Sequence, residues 1–215
     1  MRRPPGDIYF FATCVVDQFF PGAGLDAITL LEGQGIRVHF PEEQTCCGQP
    51  AYTSGFPEAA RKVAAHQLTL FPNDWPVVVP SGSCAGMMKH HYPTLFAADP
   101  IRKVQAEALS SRIYEFTEFL VNVLGYQPED NGADFTIVLH TSCSARREMG
   151  VHLTGRQLLA GLDKVTVAQQ DHESECCGFG GTFSIKQPEI SGAMVEDKVK
   201  ALKASGAERV VSADC

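Results

Sequence analysis

The chain has 215 residues, 44% of them hydrophobic and 20% charged, which excludes long disorder, collagen and coiled coil. Eighteen Lys and Arg stand against 25 Asp and Glu, giving a net charge of −7 with no basic cluster. A nucleic-acid surface is therefore disfavoured, and no apolar stretch approaches the roughly 18 residues of a membrane span.

Arg2 and Arg3 precede an apolar run from Ile8 to Val16, a weak echo of a secretory leader. Pro4, Pro5 and Asp7 interrupt the approach, and no small-residue cleavage site follows. Residues 8–12 are predicted as a buried first strand and the protein as cytoplasmic. A helix is expected over 25–32, with Gly33 and Gly35 as stop signals, then a second strand over 36–40. The loop Cys46-Cys47-Gly48 leads to an amphipathic helix over 58–70 and a third strand over 77–79 that runs into Cys84. The link 101–125 has apolar residues at 101, 104, 108, 113, 116, 120 and 123–124, so it is predicted as one connecting helix ended by Gly125.

The same series then recurs. A strand over 135–139 leads to Cys143, followed by a helix over 153–162 and a strand over 165–168. Next come Cys176-Cys177-Gly178, a helix over 191–204 closed by Gly206, and a strand over 209–211 before Cys215. The eight cysteines fall in two sets of four, offset by 129, 130, 130 and 131 residues. Chance does not keep that register, and an internal repeat is the strongest signal in the chain. Strands alternating with helices predict an α/β fold of two pseudo-symmetric lobes, each a small parallel sheet flanked by helices. The expected divisions are 1–98, 99–132 and 133–215. Cysteine-bearing loops leaving the carboxyl ends of parallel strands meet at one edge, where open α/β sheets bind ligands.

Three chemistries suit four thiols at such an edge. Structural zinc usually takes Cys-x2-4-Cys knuckles, which neither copy has. A vicinal Cys-Cys pair supports labile dithiol–disulfide chemistry. An iron–sulfur cluster lets adjacent thiolates bind different irons, with Gly48 and Gly178 allowing close backbone approach.

The motifs Cys14 … Thr45-Cys46-Cys47-Gly48 … Ser83-Cys84 and Cys143 … Glu175-Cys176-Cys177-Gly178 … Cys215 resemble the duplicated cysteine-rich CCG domain. That domain occurs in the HdrB subunit of heterodisulfide reductases, in iron–sulfur subunits of glycolate and glycerol-3-phosphate oxidation, and in LutA-type lactate-utilisation proteins. The stretch from Cys176-Cys177-Gly178-Phe179-Gly180-Gly181 to Ser191 is most similar to the LutA type. The resemblance implies a cytoplasmic electron-transfer subunit of an L-lactate-oxidising complex rather than a stand-alone enzyme. Its partners would be a LutB-like ferredoxin-containing subunit and a LutC-like subunit. All eight cysteines would serve as ligands of one or two 4Fe-4S clusters, which are noncubane in the HdrB relatives, with zinc as a substitute occupant. A thiol–disulfide redox protein and a zinc-bound scaffold are the alternatives. The family pattern closes each copy with Cys-x2-Cys, whereas here Met87 stands where the first copy would have its fifth thiol. The chain stops on Cys215, so the natural protein is expected to extend further.

Other candidates carry a plain reading beside the functional one. His140 and His172, just before Cys143 and Cys176, suit hydrogen bonds to a cluster or simple solvation. His90 and His91 suit an exposed helix face better than ligation. Lys186, Arg146 and Arg147 suit a substrate carboxylate or ordinary surface charge. Gly178-x-Gly180-Gly181 lacks the Lys-Ser/Thr of a phosphate loop.

Overall fold

Ile8, Tyr9 and Phe10 are all buried in β1 (Asp7–Phe10), as a strand covered on both faces requires. The computed structural model describes residues 4–214 and places β1 between β2 (Arg37–His39) and β3 (Val77–Val79). Helices α1 (Cys14–Phe19) and α2 (Pro21–Gly33) connect β1 to β2. Helices α3 (Gln49–Thr53) and α4 (Pro57–Gln67) connect β2 to β3. After β3, α5 (Gly82–Gly86) widens into a π-helical turn over Met87–His91 and continues as α6 (Tyr92–Leu95), with α7 (Pro100–Ser110) following. The alternation of the strands sorts the core by face. Ile8, Phe10 and Val78 pack with Leu31 and Phe119 on one side, while Tyr9, Val77 and Val79 pack with Met87, Tyr92 and Phe96 on the other.

The link between copies is not a single helix. β4 (Ile113–Glu115) interrupts it and pairs parallel with β3, Val77 opposite Ile113, so the first sheet has the order β2-β1-β3-β4. The predicted apolar spacing survives because Ile113 and Phe116 lie three apart, a separation that a strand end and a following turn also satisfy. Ile113 is fully buried beside Val77, and the Arg112 guanidinium donates to the carbonyls of Phe71 and Trp75, pinning the chain as it leaves α7. Helix resumes at α8 (Phe116–Glu118) and runs in π form over Phe119–Leu124 to Gly125, whose φ of +60° ends it.

The second copy repeats the first. β5 (Phe135–His140) lies between β6 (Val165–Ala168) and β7 (Arg209–Ser212), with α9 (Cys143–Met149) and α10 (Val151–Leu159) before β6. Helices α11 (Phe183–Lys186) and α12 (Pro188–Ala204) precede β7. All strand pairs in both sheets are parallel. Asp7 faces Arg37 and Phe135 faces Val165, so the first crossover spans thirty residues in each copy. The two-lobed parallel α/β expectation is met. No helix among the described residues is long and apolar enough to cross a membrane.

The lobes share one interior, since Ala145, Met149 and Val151 of the second copy join the core built on Tyr9 and Val79. Beside this junction a cavity of about 420 Å³ is lined by Ala27, Leu30, Glu115, Leu139, Val151 and Leu158. Glu115 is 1% exposed and caps α8, accepting from the Thr117 hydroxyl at 2.5 Å and the Glu118 N–H at 3.0 Å. Burial outweighs these bonds and pushes its carboxyl up to about 7. The folded state thus holds a proton that the unfolded chain releases near 4.5. Its stabilising contribution is complete below that value and is lost as pH rises towards 7. The loss is about 3 kcal/mol. Denaturant titrations from pH 4.5 to 8 should show this decline, and Glu115→Gln should flatten it. Parallel curves for the two proteins would refute the assignment.

Candidate functional site

Each first cysteine begins a short helix rather than lying in a loop. Thr13 caps α1, its hydroxyl accepting from the Val16 N–H at 3.3 Å, and Ser142 caps α9 by accepting from Ala145 N–H at 3.2 Å. Cys14 and Cys143 therefore occupy the same first helical position at the carboxyl ends of β1 and β5. Cys84 sits in α5 at the end of β3. The Cys-Cys-Gly loops arrive from β2 and β6, and both turn through a left-handed glycine, φ +88° at Gly48 and +85° at Gly178. In each, the glycine N–H donates to the first thiol of the pair, Cys46 or Cys176, at 3.4 Å. Each glycine also lies against the next long helix: a Cβ on Gly178 would come 2.8 Å from the Ser191 carbonyl oxygen.

In the first copy, Cys47 Sγ lies 3.3 Å from Cys84 Sγ, and Tyr92 donates its buried hydroxyl to the Cys47 carbonyl at 2.9 Å. Hydrogen bonding from Cys47, helped by the Gly48 N–H, lowers the Cys46 thiol to about 6. Burial, reinforced by the thiols of Cys46 and Cys84, pushes Cys14 up to about 11. Cys46 and Cys84 push the buried Cys47 thiol well above its usual value. A lowered Cys46 beside raised Cys14 and Cys47 is what mutual repulsion in a half-buried cluster produces. Cys14, Cys46, Cys47 and Cys84 thus act on one another at one sheet edge.

In the second copy Cys143 and Cys176 approach to 3.8 Å, and burial together with the Cys176 and Cys177 thiols raises Cys143. Cys215 lies outside the described residues. The seven described cysteines are all free thiols. Among the described residues no three His, Cys, Asp or Glu side chains are arranged around a single metal ion. The donor set suits an iron–sulfur cluster in its chemistry: thiols only, an amide donor at each Cys-Cys pair, and glycines that let the backbone approach.

The other sequence candidates scatter. Met87 is fully buried in the first core, beside Tyr92 and Met88. His90 and His91 reach across the lobe boundary to the backbone carbonyl and the carboxylate of Glu148, at 3.1 and 3.4 Å. His140 is half-buried, and burial with the charge of Lys198 lowers it. His172 contacts Glu175 at 2.7 Å and is the one described non-glycine residue with positive φ, +58°. Arg146 pairs with Glu173 at 3.0 Å, and Lys186 sits over the Phe56 ring at 5.1 Å. Arg147 lines a second cavity, of about 410 Å³, with Cys176, Met194 and Lys198.

Sequence reasoning missed the residue that ties the sites together. Asp214 accepts from the Ser81 hydroxyl at 2.7 Å and the Ser83 N–H at 3.0 Å, and with its other oxygen from the Ser142 hydroxyl. One carboxylate thereby holds the Cys84 turn of the first copy to the cap of Cys143 in the second. Gln49, next to the first Cys-Cys-Gly, makes a similar bridge to the Ser83 carbonyl at 3.3 Å and the Ser144 hydroxyl at 3.4 Å. The visible clue was position 214, where the repeat has a serine, Ser83, in the first copy.

The cysteine-rich domain family called CCG matches residues 8–89 and again 137–215. Lactate utilization protein A 1 of Bacillus mycoides is 45% identical over 211 residues, covering 97% of this chain and 85% of the relative. Lactate utilization protein A of Shouchella clausii is 44% identical, covering 97% and 87%, and that of Bacillus subtilis is 42% identical with the same coverage.

Proposed function

The chain belongs to the cysteine-rich CCG-domain family that includes lactate utilization protein A, and from that premise we propose that it is a cytoplasmic iron–sulfur electron-transfer subunit of an L-lactate-oxidising complex. Cys14, Cys46, Cys47 and Cys84 would hold one 4Fe-4S cluster, and Cys143, Cys176, Cys177 and Cys215 a second. A bound cluster supplies one-electron chemistry. The chain's own residues supply the rest. Buried Cys47 and the fully buried Tyr92 keep water from one side of the first site, and the Gly48 and Gly178 amides stabilise negative sulfur. The partners in this reading are a ferredoxin-containing LutB-like subunit and a LutC-like subunit.

The observation that carries the proposal is the meeting of four thiols from three strand ends in the first copy. The 3.3 Å approach of Cys47 to Cys84 favours a second reading, in which the two thiols give up two electrons and two protons to an external disulfide and become bonded. Anaerobic purification followed by iron, labile sulfide and zinc analysis, with EPR, separates these. Iron and sulfide in matching amounts with a reducible EPR signal are expected. Stoichiometric zinc without sulfide overturns the electron-transfer role, and metal-free chain that reduces disulfides establishes the second reading.

A further inference from the structure

The internal repeat lets each residue around one site be compared with its counterpart around the other. Gly48 packs against Ala60 and Val63 of α4, and Gly178 against Ser191 and Met194 of α12, so these helices correspond with an offset of 131. Gln67 and Lys198 are then counterparts. Both are buried, at 0% and 4% exposure, and both reach back to the chain entering their Cys-Cys-Gly loop. Gln67 donates to the Thr45 hydroxyl at 2.7 Å, and Lys198 donates to the His172 carbonyl. The contacts are alike and the charges are not.

Lys198 lines the cavity that contains Cys176, and its charge is felt at His140, which ends the strand leading to Cys143. No carboxylate among the described residues pairs with it. A second exchange runs the same way. Arg147, four residues after Cys143, acts on that thiol, while its counterpart four residues after Cys14 is the neutral Gln18. Arg146 likewise replaces Asp17, although Glu173 partly offsets it. Asp214 for Ser83 opposes the trend, but its carboxylate bonds beside both sites, to Ser83 N–H and to the Ser142 hydroxyl, so its charge falls on both. Glu175 for Thr45 and Asp197 for His66 oppose it as well. Their side chains are 63% and 78% exposed, where water and salt screen them. The buried ammonium is screened least.

We propose that Lys198 makes the two cysteine sites electrically unequal, holding a cluster bound through Cys143, Cys176 and Cys177 at a higher reduction potential than one at Cys14, Cys46, Cys47 and Cys84. This rests on the reading that both sets bind iron–sulfur clusters. A reduced cluster carries one more negative charge than an oxidised one, and a nearby buried cation stabilises the reduced form. With clusters bound at both sites, an electron would pass from the first to the second, with no bond made and no proton required. The first copy would then be the entry and the second the exit.

The test is an EPR-monitored redox titration of the full chain, loaded anaerobically with iron and sulfide and with iron counted per chain. Wild type is expected to show two midpoints. Lys198→Gln should lower the higher one, reducing the ratio of reduced to oxidised cluster at a fixed potential roughly tenfold, and leave the other in place. Lys198→Arg should retain the wild-type value, which separates charge from packing. Gln67→Lys should raise the lower midpoint. A wild-type titration curve from Lys198→Gln at full iron content overturns the proposal, as does a single midpoint that none of the variants moves. Failure to take up iron and sulfide in any protein, wild type included, defeats the cluster reading itself and this proposal with it.

Discussion

Alanine at Gly82 is expected to destabilise the protein by about 3 kcal/mol and to loosen both cysteine sites together. A Cβ there would press on the Ala145 side chain and come 3.0 Å from both the Ala145 Cα and the Val151 Cγ2. Backbone cannot yield as a side-chain tip can, so α5 must move off α9. Those are the helices that carry Cys84 and Cys143. The hydrogen bonds of Asp214 to Ser81 and Ser142 span the same gap and would stretch with it. Gly192→Ala serves as the control: Gly192 lies inside α12 with nothing within 4 Å of the added carbon, and it should gain about 0.5–1 kcal/mol from helix propensity. Equal denaturation midpoints for Gly82→Ala and Gly192→Ala would show that the helices are not in close contact.

On the proposed iron–sulfur reading, serine at Cys47 is expected to remove the whole iron complement of the first site while leaving that of the second. Cys47 is 2% exposed, its sulfur touches that of Cys84, and its thiol helps to lower the neighbouring Cys46. A hydroxyl in that position is a poor ligand for iron and adds a buried polar group, costing about 1–3 kcal/mol. Iron and sulfide should therefore be measured per folded chain, with far-UV circular dichroism reporting the fold. A Cys47→Ser protein that keeps full iron and sulfide would take Cys47 out of the ligand set.

The cysteine register and the parallel strands were legible in the sequence because both are local or periodic. Val77–Val79 and Val165–Ala168 are short apolar runs between turn signals, and the structure places strands over those same residues. β4 was hidden because its apolar residues share a spacing with a helix. The helices at Cys14 and Cys143 were missed because fewer than two turns leave almost no periodicity, although Thr13 and Ser142 are recognisable caps. Asp214, Tyr92 and Lys198 act on the sites only through the fold. A lysine read from sequence belongs to the surface, and only α12 packing under the Cys176 loop buries this one. Lys186 and Arg146, which the sequence offered as receivers of a substrate, are engaged with Phe56 and Glu173.

Ser83 and Asp214 are the same position of the repeat, and they touch each other where the lobes meet. In an ancestor made of two identical half-length chains, that contact would have paired each residue with itself. Two aspartates there would repel, and two serines would leave the opposing amide and hydroxyl donors without a carboxylate to share. The present junction works only with one of each. A half-length chain carrying only one of the two residues would meet a copy of itself without this carboxylate–donor pair.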